Sequence, residues 1–472
     1  MSTILIETPS IMKDHRLVPF ALLFVISFLS IGHVYAGDKK QKLVPVGVAR
    51  IDITPDRPIR LTGYSDRSAS FDKVHHRLWG KALAFGDAKN GYSLLITVDL
   101  LGIPGRITEQ VRKALGKELG IRPEHVSICA SHTHSGPQIG SIISHFNKPL
   151  SPDELAEVAL YSQGLVPKLT EVALLAIKTI QPSLVSWGQG EVGFAVNRRL
   201  NFNPNGPVDH AMPLLKVTKP DGTVRAVLAS YACHAVTLGP KNNVVHGDWV
   251  GEAQLQIEQN LPAGAIAMVS VGCGADQNSN PRMDTKNPAT DLENARIQGK
   301  SIADEVKRLV DSPLLTPLQN LPIARQKYID LDFATMPDPL SLAKDAKGAG
   351  RTSNYSNLLL GRLARSEMPD KISYPVQVWQ FGRNLTIIFL GGEVVVDYGL
   401  RLKKEFGKDR IWVNAYANDM PCYIPSLRVL KEGGYEAESA MIGYEKPSKF
   451  TEDVEERIMN AIYELMGSRG LK

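Results

Sequence analysis

Residues 125–137 read HVSICASHTHSGP, and the fold turns on how this stretch is read. The run from His125 to Ser131 is short, rich in apolar and small side chains and bounded by polar residues, the pattern of a buried strand. Two imidazoles, His132 and His134, follow at once. In α/β folds the functional loops lie at the carboxyl ends of the strands, so the stretch predicts a strand that delivers histidines into a site.

Outward from there the same pattern recurs. Leu214–Thr218 and Val224–Cys233 are strand-like and joined across the turn pair Asp221-Gly222, and Ala265–Val271 and Leu385–Leu390 are further buried strands. Asp153–Ile180 carries helical spacing until Gln181-Pro182 stops it, and Glu452–Met466 reads as an amphipathic helix. Gly391-Gly392 is expected to lead into a helix from Glu393. The alternation predicts an α/β fold: one large domain over 45–472 with a mixed β-sheet core flanked by helices. Between Met336 and Lys371 the chain turns polar, with Gly348 and Gly350, and is expected to form a lid or a peripheral helical insertion at 336–371. No internal repeat is evident. A further C-terminal domain after the last helix is not expected.

At the N-terminus Lys13, His15 and Arg16 precede an apolar run from Leu17 to Ile31, with the small residue Ala36 at a suitable cleavage position. Residues 1–36 are therefore expected to be a signal peptide and 37–44 a polar linker, which implies a secreted, periplasmic or extracellular protein. An uncleaved membrane anchor is the alternative. The 54 basic and 49 acidic residues give a net charge of +5, without a block of like charge that would track a phosphate backbone. A nucleic-acid partner is not expected, no protein partner is expected, and peripheral membrane contact stays open. Cys129, Cys233, Cys273 and Cys422 lack metal-finger or redox spacing and are expected to be small buried packing groups.

His234 ends a second strand, in YACHAV at 231–236, and Glu393 follows a third. Each taken singly reads as a core or capping residue. Together, His132, His134, His234 and Glu393 all follow apolar strands whose ends can meet in one crevice, and two histidines with one glutamate form a known catalytic zinc set. Within the His-x-His pair, extended backbone would point both rings to one face, so both ligate or one ligates while the other faces substrate. His75-His76 and His246-Gly247-Asp248 are expected to be structural, with Asp248 as a helix N-cap; the second is the rival metal site.

The segment His132-Thr133-His134-Ser135-Gly136-Pro137 resembles the hallmark of the neutral/alkaline non-lysosomal ceramidases. Arg50-Ile51-Asp52-Ile53-Thr54-Pro55, Thr62-Gly63-Tyr64 and Val196-Asn197-Arg198 resemble other elements of that family in the same order, over about residues 45–440. The resemblance implies the family's catalytic N-terminal domain, without the immunoglobulin-like domain that follows it in better-known members. It implies a zinc ion held by His132, His234, Glu393 and Tyr423. His134, Arg198 and Tyr435 become catalytic, with Gly63 and Asn278 as substrate-binding positions. Tyr423 and Tyr435 have the family's twelve-residue separation. One departure stands out: where the family has Gly-Asp-x-Ser-Pro-Asn, this chain has Gly274-Ala275-Asp276-Gln277-Asn278-Ser279, which puts Asn278 at the serine position and Ser279 beside it, pointing elsewhere.

The expected activity is thus zinc-dependent hydrolysis of an amide, ceramidase-like, on an N-acyl lipid or related small molecule, by activated water rather than a serine nucleophile. The alternatives are a zinc hydrolase acting on another amide or an ester of envelope or sugar substrates, and a secreted binding protein that keeps the metal site without turnover.

Overall fold

The computed structural model describes residues 41–140, 142–284 and 287–467. The leader expected at 1–36 and the first half of the linker lie outside the described residues; the first described strand is Val44–Asp52. Residues from Gln41 onward form one compact unit.

A nine-stranded sheet is the backbone of that unit. In spatial order its strands are Ile266–Val271, Val224–Tyr231, Ala211–Thr218, Gln181–Glu191, Val44–Asp52, Trp79–Asp87, Gly91–Val98 and Val126–Ala130, with Thr316–Leu318 paired beside Gln181–Glu191. The two outermost pairs are parallel and the interior pairs antiparallel. A four-stranded sheet follows the order Ile323–Asp332, Lys371–Phe381, Leu385–Leu390 and Ile411–Asn414, the last pair parallel.

The two sheets share a core in which Leu83, Phe85, Trp187, Leu228 and Met268 of the first meet Trp379, Phe381, Phe389 and Trp412 of the second. Burying such side chains supplies about 25 cal/mol per Å² of apolar surface, which makes this seam the main tie between the sheets. The buried tryptophans also satisfy their polar edges: Trp187 Nε1 donates to Asn384 O and Trp379 Nε1 to Glu124 O, both at 3.0 Å. Helices Gly105–Leu119, Pro152–Lys178, Asp248–Asn260 and Pro288–Val310 accompany the larger sheet, while Val454–Met466 packs on the smaller one. Pro152–Lys178 starts with a capping box between Ser151 and Glu154 and continues through Pro167.

Two expectations about the elements need correction. Glu393 does not open a helix: Glu393–Val394 is a two-residue strand paired in parallel with Tyr423–Ile424, and the helix begins at Val396. Asp248 is not the N-cap, which is Gly247; its carboxylate instead accepts the backbone N–H groups of Thr237 and Leu238. The insertion at 336–371 is helical, with helices Pro339–Asp345 and Arg351–Ala364. All four cysteines are buried free thiols. No helix among the described residues is long and apolar enough to cross a membrane.

What positions the site is the segment Ala415–Asn418, wedged between the two outer strands of the large sheet. Ala415 N donates to Val271 O, while Ala130 N donates to Tyr416 O and Asn418 N to Ile128 O. The carboxyl ends of Val126–Ala130, Val224–Tyr231, Ile266–Val271 and Leu385–Leu390 are thereby drawn to one place.

Candidate metal centre

His132 leaves its strand with φ of 57°, a left-handed backbone unusual for a side chain of this size. The chain at the His-x-His pair is therefore not extended, as the sequence reading assumed, yet both rings still converge, with centroids 4.8 Å apart. The conformation is enforced from both sides: Ser131 N donates to Val98 O, and Thr133 bridges Ala235 in parallel. His234 follows its own strand, its backbone N donating to Gln277 O. Glu393 is set by Gly392, whose φ of 73° and close approach to Cys422 O leave no room for a Cβ.

The orientation of the rings fixes their protonation. His132 Nδ1 lies 2.7 Å from Leu101 O, His234 Nδ1 2.7 Å from Gly274 O and His134 Nδ1 3.1 Å from Gly63 O. A carbonyl only accepts, so each Nδ1 donates there and each ring turns its Nε2 inward. His132 Nε2 is 3.2 Å from His134 Nε2, and Glu393 Oε2 is 3.2 Å from His132 Nε2 and 3.0 Å from His234 Nε2. Burial, aided by Arg198, holds His234 down to about 4, and burial with His132 and His234 as neighbours holds His134 well below its usual range.

Three Nε2 atoms and a carboxylate oxygen gathered in one buried pocket form a donor set that a cation would satisfy. Imidazole nitrogens backed by carbonyl acceptors are how proteins hold metal ligands in the correct tautomer. The residues fit a metal: ligating atoms of His132, His134 and His234 all lie within 4.8 Å of one another, with Glu393 in contact. His132 and His234 are fully buried while His134 retains 9% exposure, so His134 is the histidine of the three that a substrate can reach.

The structure gathers the other expected residues here too. Tyr423 Oη is 3.4 Å from His234 Nε2 and accepts from Arg198 Nη2 at 3.0 Å. Burial raises the Tyr423 phenol well above its ordinary value, with Arg198 opposing and Glu393 adding. The Arg198 guanidinium lies 5.6 Å from the ring centres of both Tyr423 and Tyr435, whose rings meet at 5.3 Å. Tyr435, 48% exposed, stands at the mouth. Gly63, with φ of 93°, presents the carbonyl that orients His134. Asn278 is buried on the short strand Gln277–Ser279, opposite Val196, with Oδ1 unpartnered among the described residues; Ser279 bonds instead to Thr237.

The rival site is not built for metal. His246 Nδ1 accepts from Asp248 N at 2.9 Å, so its proton sits on Nε2, where a ligand would need a lone pair.

Three residues escaped the sequence reading. The Tyr444 hydroxyl donates to Glu393 Oε1, the oxygen turned away from the histidines. Tyr416, with φ of 53°, stacks on His132 at 4.3 Å. Glu436 binds Arg198. Of these only Glu436 had a signal, its place next to Tyr435.

An α/β protein with a buried cluster of metal-ligand side chains at the carboxyl ends of its strands is the class that fold and site define. Residues 45–270 match the model of the neutral/alkaline non-lysosomal ceramidase N-terminal region. The neutral ceramidases of Drosophila pseudoobscura pseudoobscura and Drosophila melanogaster are each 25% identical over 239 residues, which cover 45% of this chain and 32% of theirs. The chain thus spans about a third of the length of those relatives. Among solved structures, neutral ceramidase from Pseudomonas aeruginosa superposes with a TM-score of 0.70 at 17% identity, covering 91% of this chain and 74% of that one. A ceramidase complexed with C2 gives 0.69 at 16%, covering 89% and 74%. Its mixed α/β fold is that of the Pseudomonas neutral ceramidase, and residues 45–270 are similar to the N-terminal region of the neutral/alkaline non-lysosomal ceramidases.

Proposed function

We propose that this chain is a zinc-dependent amidohydrolase that cleaves the amide of an N-acyl lipid, N-acylsphingosine or a close relative, to a fatty acid and an amine. The observation that carries the reading is the convergence of the His132, His134 and His234 Nε2 atoms and Glu393 Oε2 in one buried pocket. His132, His234 and Glu393 would hold zinc, with Tyr423 beside them; the match to the ceramidase N-terminal region and the Pseudomonas fold support that choice. Bound there, zinc supplies Lewis acidity and lowers the pKa of water.

Amide hydrolysis joins a water oxygen to the carbonyl carbon and then breaks the C–N bond, so a proton must leave the water and reach the departing amine. His134 is suited to carry it: Gly63 O anchors its Nδ1–H, which leaves Nε2 as the base on the accessible side. Arg198, held beside His234 and Tyr423, stabilises the negative charge that develops on the carbonyl oxygen. Tyr435, a phenol that stays protonated at neutral pH, donates to the same oxygen from the mouth. No serine nucleophile enters, since Asn278 occupies that position and Ser279 is engaged by Thr237. The N-terminal sequence supports export, and lipid substrates bring the enzyme to membrane surfaces.

The test is hydrolysis of a fluorogenic N-acyl sphingosine panel with matched simple amides and esters, before chelation, after chelation and after zinc is restored. Turnover of the N-acyl lipid that is lost and regained in step with zinc, and absent from His132→Ala and Glu393→Ala, is expected. No zinc-dependent turnover of any substrate would overturn the reading.

A further inference from the structure

We infer that Glu436 is a positioning residue that aims Arg198 at the reacting carbonyl, an inference that rests on the hydrolase reading above. A guanidinium is planar, so fixing one edge fixes the other. Arg198 Nε donates to Glu436 Oε1 at 2.6 Å. The far edge then faces the site: Nη2 donates to Tyr423 Oη at 3.0 Å and Nη1 lies 3.5 Å from His234 Nε2.

The carboxylate that does the aiming is itself immobilised. Glu436 is 3% exposed, and its second oxygen accepts from Arg199 Nη1. Arg199 is locked in turn, with Nη2 donating to Gly433 O at 2.8 Å and its backbone N to Asn197 Oδ1 at 2.9 Å. A single buried carboxylate thus bridges two consecutive arginines and ties their loop to the loop that presents Tyr435. Both partners of the carbonyl oxygen, Arg198 and Tyr435, are referenced to it. Burial pushes the Glu436 carboxyl up, but Arg198 and Arg199 more than offset this and keep it ionised at neutral pH.

A bridge that merely held two loops together would leave the same bonds, so the test must separate aim from stability. Glu436→Gln keeps the shape and removes the charge; Glu436→Asp keeps the charge and withdraws it by one methylene. Both are measured on the N-acyl lipid panel, alone and combined with Arg198→Met. Each is expected to lower kcat about 10- to 100-fold with KM little changed, the usual effect of a misplaced transition-state donor. In the Arg198→Met background the same changes should have almost no further effect on kcat. Unchanged kcat in both single variants, or an equal loss in both backgrounds, would overturn the inference. Should Glu436→Gln fail to fold, the Asp variant and its double carry the same comparison. Calorimetric binding of the fatty carboxylate product, weakened in the Glu436 variants, gives a readout free of turnover. A wild type that neither turns over the panel nor binds the product removes the hydrolase reading and this inference together; an active wild type with indifferent Glu436 variants removes the inference alone.

Discussion

Gly63→Ala is the substitution whose effect the structure sets most directly. A Cβ at Gly63 would lie 2.5 Å from His134 Nδ1, 2.6 Å from its Cγ and 2.8 Å from its Cβ. Carbon atoms rest at about 3.5–4.0 Å, so the ring must retreat by about 1 Å or the Gly63 backbone must move. Either response breaks the 3.1 Å bond from His134 Nδ1 to Gly63 O that sets the tautomer. The φ of 93° adds a strain of about 1–3 kcal/mol for any L side chain. Misplacing a catalytic group by about 1 Å costs about 100-fold, or about 2.7 kcal/mol of barrier. Gly63→Ala should therefore lower kcat on the N-acyl lipid panel by about two orders of magnitude. Zinc content should stay at the wild-type level, because the three atoms nearest the new methyl all belong to His134. Unchanged turnover would refute the assignment of His134 as the proton carrier, and loss of zinc would refute its separation from the metal ligands.

Other expectations follow from buried polar groups. Tyr444→Phe removes the donor to Glu393 Oε1 and should weaken zinc binding by about 10- to 100-fold in a chelator competition; unchanged affinity would show that Glu393 needs no support. Burial, with Arg60 adding, holds His145 down to about 4 from the usual 6.5, and its Nδ1 has no partner among the described residues. Between those values the unfolded chain binds the proton and the folded one does not. The stabilising contribution is thus complete above pH 6.5 and falls by roughly 3 kcal/mol as the pH drops to about 4. Urea melts across that range should show a shallower pH dependence in His145→Gln, and an identical one would contradict this. Lys81, 2% exposed, donates to Glu258 Oε1 at 2.9 Å and Ala267 O at 2.7 Å. Glu258→Ala strands that ammonium and should cost about 3 kcal/mol, recovered in part by adding Lys81→Met, as melting temperatures would show.

The legible part of the site was the part carried by regular structure. His132, His234 and Glu393 each follow an apolar run long enough to read as a buried strand, and α/β strand ends converge, so their meeting was predictable. The two-residue pairing of Glu393–Val394 with Tyr423–Ile424 was not, because so short a strand leaves no periodicity; the glycines before it looked like a helix start. Tyr423 and Tyr435 were reachable only through resemblance, since they lie in irregular chain whose shape is set by distant contacts. Tyr444, 51 residues from Glu393, and Glu436, 238 residues from Arg198, reach the site through contacts that no local pattern encodes. The left-handed turn at His132 was hidden for the same reason: the chain on either side imposes it.

Zinc stoichiometry measured by inductively coupled plasma mass spectrometry, on protein purified without added chelator, tests the central claim most directly. The account expects one zinc per chain in the wild type and a loss in both His132→Ala and Glu393→Gln, with each variant still folded by circular dichroism. Wild-type protein without stoichiometric zinc, or variants that keep it, would contradict the assignment of these strand-end side chains as a metal centre.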